Sequence, residues 1–148
     1  AEAFGWEDLW LRTDQQAEIL FNDGDPIPDF AVADLSFISL RIVLPAIRSL
    51  LLSDDAQALL LIKPQFEVGR ERVGKGGVVR DPAAHVEVLD SVIRHAALQK
   101  WQPQALAASP ITGPAGNHEY LLWLGRDDGW KLPDIEAVVK KTLLLERP

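Results

Sequence analysis

Leu59-Leu60-Leu61-Ile62-Lys63-Pro64-Gln65-Phe66-Glu67 is the stretch on which the fold turns. Four consecutive apolar residues ended by a lysine and a proline match a parallel-sheet strand buried on both faces. Pro64 disfavours the helical region for Lys63 and has no N–H to give to a ladder, so the strand stops there. Lys63 then stands at the carboxyl edge, where open α/β sheets bind their ligands. A single lysine is usually a solvated surface charge. Two further ionisable residues, Asp34 and Glu119, make this one worth following.

Upstream, Phe30-Ala-Val-Ala33 is a compact strand ending on Asp34. Ser36 or Ser39 can cap the helix that follows, in which Leu40, Val43, Leu44, Ile47, Leu50 and Leu51 recur at helical spacing. Earlier still, residues 17–21 read as a short strand, 22–28 as a turn-rich loop, and the region around Leu9 to Leu11 as a short helix. Downstream, Asp81 and Pro82 suit the N-cap and first position of a helix, with Val86, Leu89, Val92, Ile93 and Ala96 as its buried stripe. Residues 104–108 and 120–124 read as strands on either side of a segment dense in turn formers, and 131–146 as a closing helix.

Alternating strands and helices predict a mostly parallel sheet with helices on both faces. The loop between the last two strands is too short for a crossover helix, so the last strand runs antiparallel. Its first residues, with Glu119, then lie at the same edge as Asp34 and Lys63. A lysine between two carboxylates is either a stabilising ion cluster or a proton-transfer site, and the residues alone leave both open.

Composition narrows the classes. The chain has 148 residues, 47% hydrophobic and 25% charged, as expected of one soluble domain. Its formal charge of −7 argues against a free-standing nucleic-acid binder that works by phosphate neutralisation. A polyanion would have to meet a local patch, and Arg70, Arg72, Lys75 and Arg80, interleaved with Gly69, Gly74, Gly76 and Gly77, read as a mobile basic loop beside Lys63. The sequence Gly74-Lys-Gly-Gly77 is not a P-loop, because no Lys-Ser/Thr closes it. Having no cysteine excludes disulfides and thiol chemistry and is compatible with a reducing cytoplasm. The three histidines are too scattered for a metal site, and His118 reads as a turn residue. The tryptophans read as packing residues rather than base-stacking platforms, with both readings open for Trp6, Trp123 and Trp130. No apolar run is of membrane-spanning length and the first residues lack a basic signal region. The absence of any methionine reads as a piece of a longer protein.

Four segments carry a family resemblance: Ala33-Asp-Leu-Ser-Phe-Ile-Ser-Leu40, Leu61-Ile-Lys-Pro-Gln-Phe-Glu67, Val73-Gly-Lys-Gly-Gly-Val-Val-Arg-Asp-Pro82, and Ser109-Pro-Ile-Thr-Gly-Pro-Ala-Gly-Asn117 with Glu119. In that order they closely resemble the TlyA family, hemolysin-A-like proteins with an FtsJ-like ribosomal RNA methyltransferase domain. A weaker match reaches back to Leu11-Arg-Thr-Asp14. The resemblance implies a Rossmann-like, S-adenosylmethionine-dependent methyltransferase that modifies the cytidine 2′-hydroxyl of ribosomal RNA in the cytoplasm. Asp34, Lys63 and Glu119 match the last three members of the family's Lys-Asp-Lys-Glu tetrad. By that likeness Lys63 orients and deprotonates the hydroxyl, Asp34 and Glu119 orient Lys63, Asp34 and Glu2 serve the cofactor, and Arg70, Arg72, Lys75 and Arg80 contact RNA phosphates.

The departures from the family pattern also carry information. The Gly-x-Ser-x-Gly-Gly-Phe cofactor segment, the first tetrad lysine and the N-terminal S4 RNA-binding module are not in this chain. Residues 1–148 therefore correspond to the C-terminal portion of the catalytic domain, and apolar surface left by a missing first strand favours self-association into a homo-oligomer. The competing reading is a non-catalytic scaffold, a hemolysin-like interaction protein with a degenerate methyltransferase fold.

Overall fold

The computed structural model describes residues 24, 26–51, 53–126 and 134–144. The expectations for residues 1–14 and 17–21, Glu2 included, lie outside the described residues.

Strand β1 (Phe30–Ala33) pairs in parallel with β2 (Gln57–Ile62), with Ala33 opposite Leu60. Helix α1 (Leu40–Leu50) joins them. Of the two candidate caps it is Ser39 that takes the extended cap conformation, its Oγ accepting from the Arg41 N–H at 3.1 Å. The helix contains Pro45, which the hydrophobic spacing gave no reason to expect. The ring lies on the exposed side, where water can satisfy the carbonyl left without a donor.

β2 ends at Ile62, and Pro64–Phe66 forms a 3₁₀ turn directly behind Lys63, as the proline requires. Helix α2 (Pro82–Leu98) starts on Asp81, whose side chain accepts from the Ala83 N–H at 3.0 Å. Leu89, Val92, Ile93 and Ala96 are buried as expected, but Val86 is only half-buried, since the stripe turns inward through Ala84, His85 and Val88 instead. Strand β3 (Gln102–Ala108) starts two residues earlier than its sequence suggested and includes Pro103, next to a break in register. Strand β4 (Tyr120–Gly125) follows, and helix α3 (Ile135–Leu144) is the described part of the closing helix.

The strand order is β1-β2-β4-β3, with β4 antiparallel to both of its neighbours. The sheet is thus mixed, and the last strand lies between β2 and β3 rather than at the margin.

Ala58, Leu60 and Ile62 of β2 and Tyr120, Leu122 and Leu124 of β4 form one sheet face. They share a core with the stripes of α1 and α2 and with Val139 of α3. The helices pack side by side, α1 on α2 and α2 on α3. Helices on both faces were expected, but among the described residues they cover this face only. The opposite face keeps Leu59 and Leu61 half-buried and Phe30, Val32 and Trp123 exposed, so the Leu59–Ile62 run is fully buried on one side only.

Candidate active site

Asp34 is the first residue beyond β1, Lys63 the first beyond β2, and Glu119 the last before β4. Ile62 faces Tyr120 in the antiparallel register, so Lys63 and Glu119 stand next to each other one step past the last pair. Topology thus brings three distant segments to one edge. Lys63 Nζ lies 2.5 Å from Asp34 Oδ1 and donates to Ser36 Oγ at 3.0 Å. Its side chain is 13% exposed against 65% for Asp34, so the amine is recessed and the carboxylate faces out. Among the described residues two of its three N–H groups are engaged in this way, leaving one for a ligand.

Glu119 is only 6% exposed and does not ion-pair with Lys63 among the described residues. Its Oε2 accepts instead from Gln65 Nε2 at 2.9 Å, two residues beyond Lys63. Gly113 makes this close packing feasible, because a Cβ there would sit 2.7 Å from Glu119 Oε2.

Around this edge, polar residues of the motif segments tie the loops to the body. Glu67 is buried and accepts from Ser39 Oγ at 3.0 Å and from the Leu40 N–H at 3.1 Å to each oxygen. It thereby closes the N-terminus of α1 with a carboxylate, where the helix dipole favours negative charge. Burial pushes its carboxyl above the usual value, against the opposing pull of the Ser39 and Leu40 hydrogen bonds and of the Arg41 and His95 charges.

Buried Asn117 accepts from the Val79 N–H at 2.9 Å and donates to the Gly77 carbonyl at 2.8 Å, joining the basic loop to the segment before β4. His85 lies within 2.8 Å of both the Val79 carbonyl and the Tyr120 hydroxyl. A carbonyl only accepts, so Nε2 carries the proton and Nδ1 accepts from the phenol. Burial pushes His85 below its ordinary value and the Tyr120 phenol up to about 12, so both stay neutral.

Residues 65–80 form a series of 3₁₀ turns folded onto this scaffold. Gly76 and Gly77 have φ of 74° and 79°, so glycine is needed there for a left-handed turn. The four arginines and lysines expected to meet RNA divide into two kinds. Arg72 is bound to Glu87 and Asp81, and Arg80 donates to the Lys75 carbonyl at 3.0 Å. Arg70, Lys75 and Arg80 are exposed and have no ion pair among the described residues.

Phe37 also has a left-handed backbone, φ 65°, and is 88% exposed with its ring 4.8 Å from that of Phe66. A bulky residue in that region is strained, and such strain concentrates at functional sites.

For a cationic cofactor, Asp34 is the fitting residue. It is an outward carboxylate at the sheet edge, and only Oδ1 is held by Lys63. Ser36, Gln65, Glu67 and Asn117 were not expected as separate functional residues. All four lie inside the motif segments, and polar residues in otherwise apolar loops were the available signal.

The model of the FtsJ-like methyltransferase family matches residues 10–126. Over 96 residues the chain is 51% identical to the 16S/23S rRNA (cytidine-2′-O)-methyltransferase TlyA of Mycobacterium tuberculosis, covering 65% of this chain and 35% of that protein. It is 38% identical over 102 residues to Hemolysin A of Brachyspira hyodysenteriae, covering 69% of this chain and 41% of the relative. The chain thus spans well under half the length of these curated relatives. A solved structure of a "putative hemolysin" from Lactococcus lactis superposes with a TM-score of 0.71 at 39% identity, covering 82% of this chain and 58% of that one.

Proposed function

Because the chain belongs to the FtsJ-like methyltransferase family, we propose that the protein carrying it methylates the 2′-hydroxyl of cytidine in ribosomal RNA, using S-adenosylmethionine and the Asp34–Lys63–Glu119 edge. The observation that carries this reading is the recessed Lys63 amine held between Asp34 and Ser36 at the carboxyl edge.

The cofactor, when bound, supplies an electrophilic methyl group. Every other requirement falls to the protein. Lys63 directs its remaining N–H at the incoming ribose oxygen and fixes the line of attack, and alignment of this kind lowers a barrier substantially without further chemistry. Asp34, exposed on its other oxygen, offers favourable charge to a sulfonium nearby and a route for the hydroxyl proton through Lys63 to solvent. Arg70, Lys75 and Arg80 are the exposed cations of this loop available to RNA phosphates, Arg80 also donating to the Lys75 carbonyl, while Arg72 is held by Glu87 and Asp81. Glu2 remains a proposed cofactor contact on sequence grounds alone. The homologous rRNA methyltransferase supports ribosomal RNA as substrate.

The test is methyl transfer from labelled S-adenosylmethionine to ribosomal subunits by the full-length protein, with nuclease digestion and mass analysis of the nucleosides. The expected product is 2′-O-methylcytidine, lost in Lys63→Ala while the fold persists by circular dichroism. Base methylation, or full turnover by Lys63→Ala, sinks the proposal. No transfer, combined with unimpaired binding to a ribosomal partner, favours the scaffold reading.

A further inference from the structure

We infer that Gln65 is a positioning residue for methyl transfer, holding Glu119 as a pure acceptor beside Lys63. This rests on the function proposed above and extends it to a residue outside the tetrad.

The geometry has three parts. The Gln65 Nε2 donates to Glu119 Oε2 at 2.9 Å, and Glu119 is 6% exposed, so little water is available to replace that bond. The other end of the same amide, Oε1, is buried and has no hydrogen-bond partner among the described residues. An unmet buried acceptor is unfavourable, and native structures keep few of them. Turning the amide over would not help, since it would aim Oε1 at a carboxylate oxygen, acceptor against acceptor. The orientation is therefore held by what it does for Glu119.

Gly113 fixes the third part. A Cβ there would lie 2.7 Å from Glu119 Oε2 and 3.7 Å from Gln65 Nε2, so the loop closes over the pair and leaves the carboxylate one direction to face. Gln65 also sits in the 3₁₀ turn that Pro64 starts immediately after Lys63. Any displacement of Gln65 is thus transmitted along two residues of backbone to the lysine as well as across the hydrogen bond to Glu119. A neutral amide suits this task. An arginine or lysine in its place would pair with Glu119 as a charge.

The experiment uses the full-length protein and ribosomal subunits, with the Glu119 pairing probed by Gln65→Leu, Gln65→Glu and the exchange Gln65→Glu with Glu119→Gln. Gln65→Leu is expected to lower kcat by about 10- to 100-fold, with KM for the subunit and the dissociation constant for S-adenosylmethionine within about twofold of wild type. In Gln65→Glu two carboxyls face each other and only a shared proton can rebuild the contact, so turnover is expected to recover relative to wild type as pH falls. The exchange variant is expected to regain the thermal stability lost in Gln65→Leu but not the turnover, because the carboxylate is then on the wrong side of the bond. A Gln65→Leu enzyme with wild-type kcat, or a Gln65→Glu pH profile of wild-type shape, overturns the inference while leaving the function intact. A wild-type protein that transfers no methyl group refutes the function itself and reduces Gln65 to a packing residue.

Discussion

Replacing Glu67 by alanine removes the carboxylate that closes α1 and leaves the Leu40 N–H and the Ser39 hydroxyl without the acceptor they now share. Leu40 is buried, so water cannot readily replace that acceptor. An orphaned buried donor costs about 1–3 kcal/mol, and loss of a capping interaction about 1 kcal/mol. Against this, the raised carboxyl value means that burial of the charge already opposes folding. The net loss is therefore about 1.5–3 kcal/mol, or roughly 3–12 °C in melting temperature for a chain of this size. The pH dependence gives a sharper check. A carboxyl raised in the fold contributes stability fully below its ordinary value of 4.5 and loses it as pH rises through the native value. The stability of wild type relative to Glu67→Gln, which cannot ionise, should accordingly decline as pH is raised from 4.5 toward neutrality. Urea unfolding followed by circular dichroism over that range measures both quantities. An alanine variant within about 0.5 kcal/mol of wild type would refute the capping account, and a wild-type advantage over Glu67→Gln that grows with pH would refute the claim that burial outweighs the capping hydrogen bonds.

Three further outcomes are expected. His85, pushed below its ordinary 6.5 by burial, costs stability as pH falls from 6.5 through the native value, and His85→Asn should remove that step from the unfolding curve. Gly113→Ala should force Glu119 off Gln65 and lower methyl transfer about tenfold with cooperative unfolding retained, as kinetics and thermal melts together would reveal. Arg70→Ala and Lys75→Ala should each reduce the salt slope of RNA binding by about one, whereas Arg72→Ala, which frees Glu87 and Asp81, should act on stability instead; filter binding across a salt series separates the two.

The sheet edge was legible because Pro64 fixes where β2 must end and the short 109–119 connection fixes the direction of β4. Those two local rules suffice to bring Asp34, Lys63 and Glu119 to one rim. The insertion of β4 between β2 and β3 was not legible, since strand order depends on which edges are left free after packing and not on any local pattern. Pro45 was missed because a proline on the solvent side of a helix leaves the apolar spacing undisturbed. Within the site, Lys63 and Asp34 could be paired from their chain positions. Gln65, Glu67 and Asn117 could not, because an uncharged or capping side chain gains its meaning from partners up to 54 residues away. The separation of ion-paired Arg72 from exposed Arg70, Lys75 and Arg80 likewise depends on acids that only the folded loop brings near.

The place of β4 in the sheet sets an order of assembly. β3 has no strand partner among the described residues except β4, and the β2 margin facing it stays open until residues 120–125 have left the ribosome. A nascent chain stopped before that point carries Lys63 and Asp34 on strands of which, among the described residues, only β1 and β2 are paired, with the apolar row of Ala58, Leu60 and Ile62 lacking the neighbouring Tyr120, Leu122 and Leu124. Such species expose unpaired backbone during synthesis and are the ones chaperones exist to hold. Since Glu119 arrives with the very strand that closes the gap, the rim is completed in the same step as the sheet, and a half-made molecule holds the lysine without its buried acid.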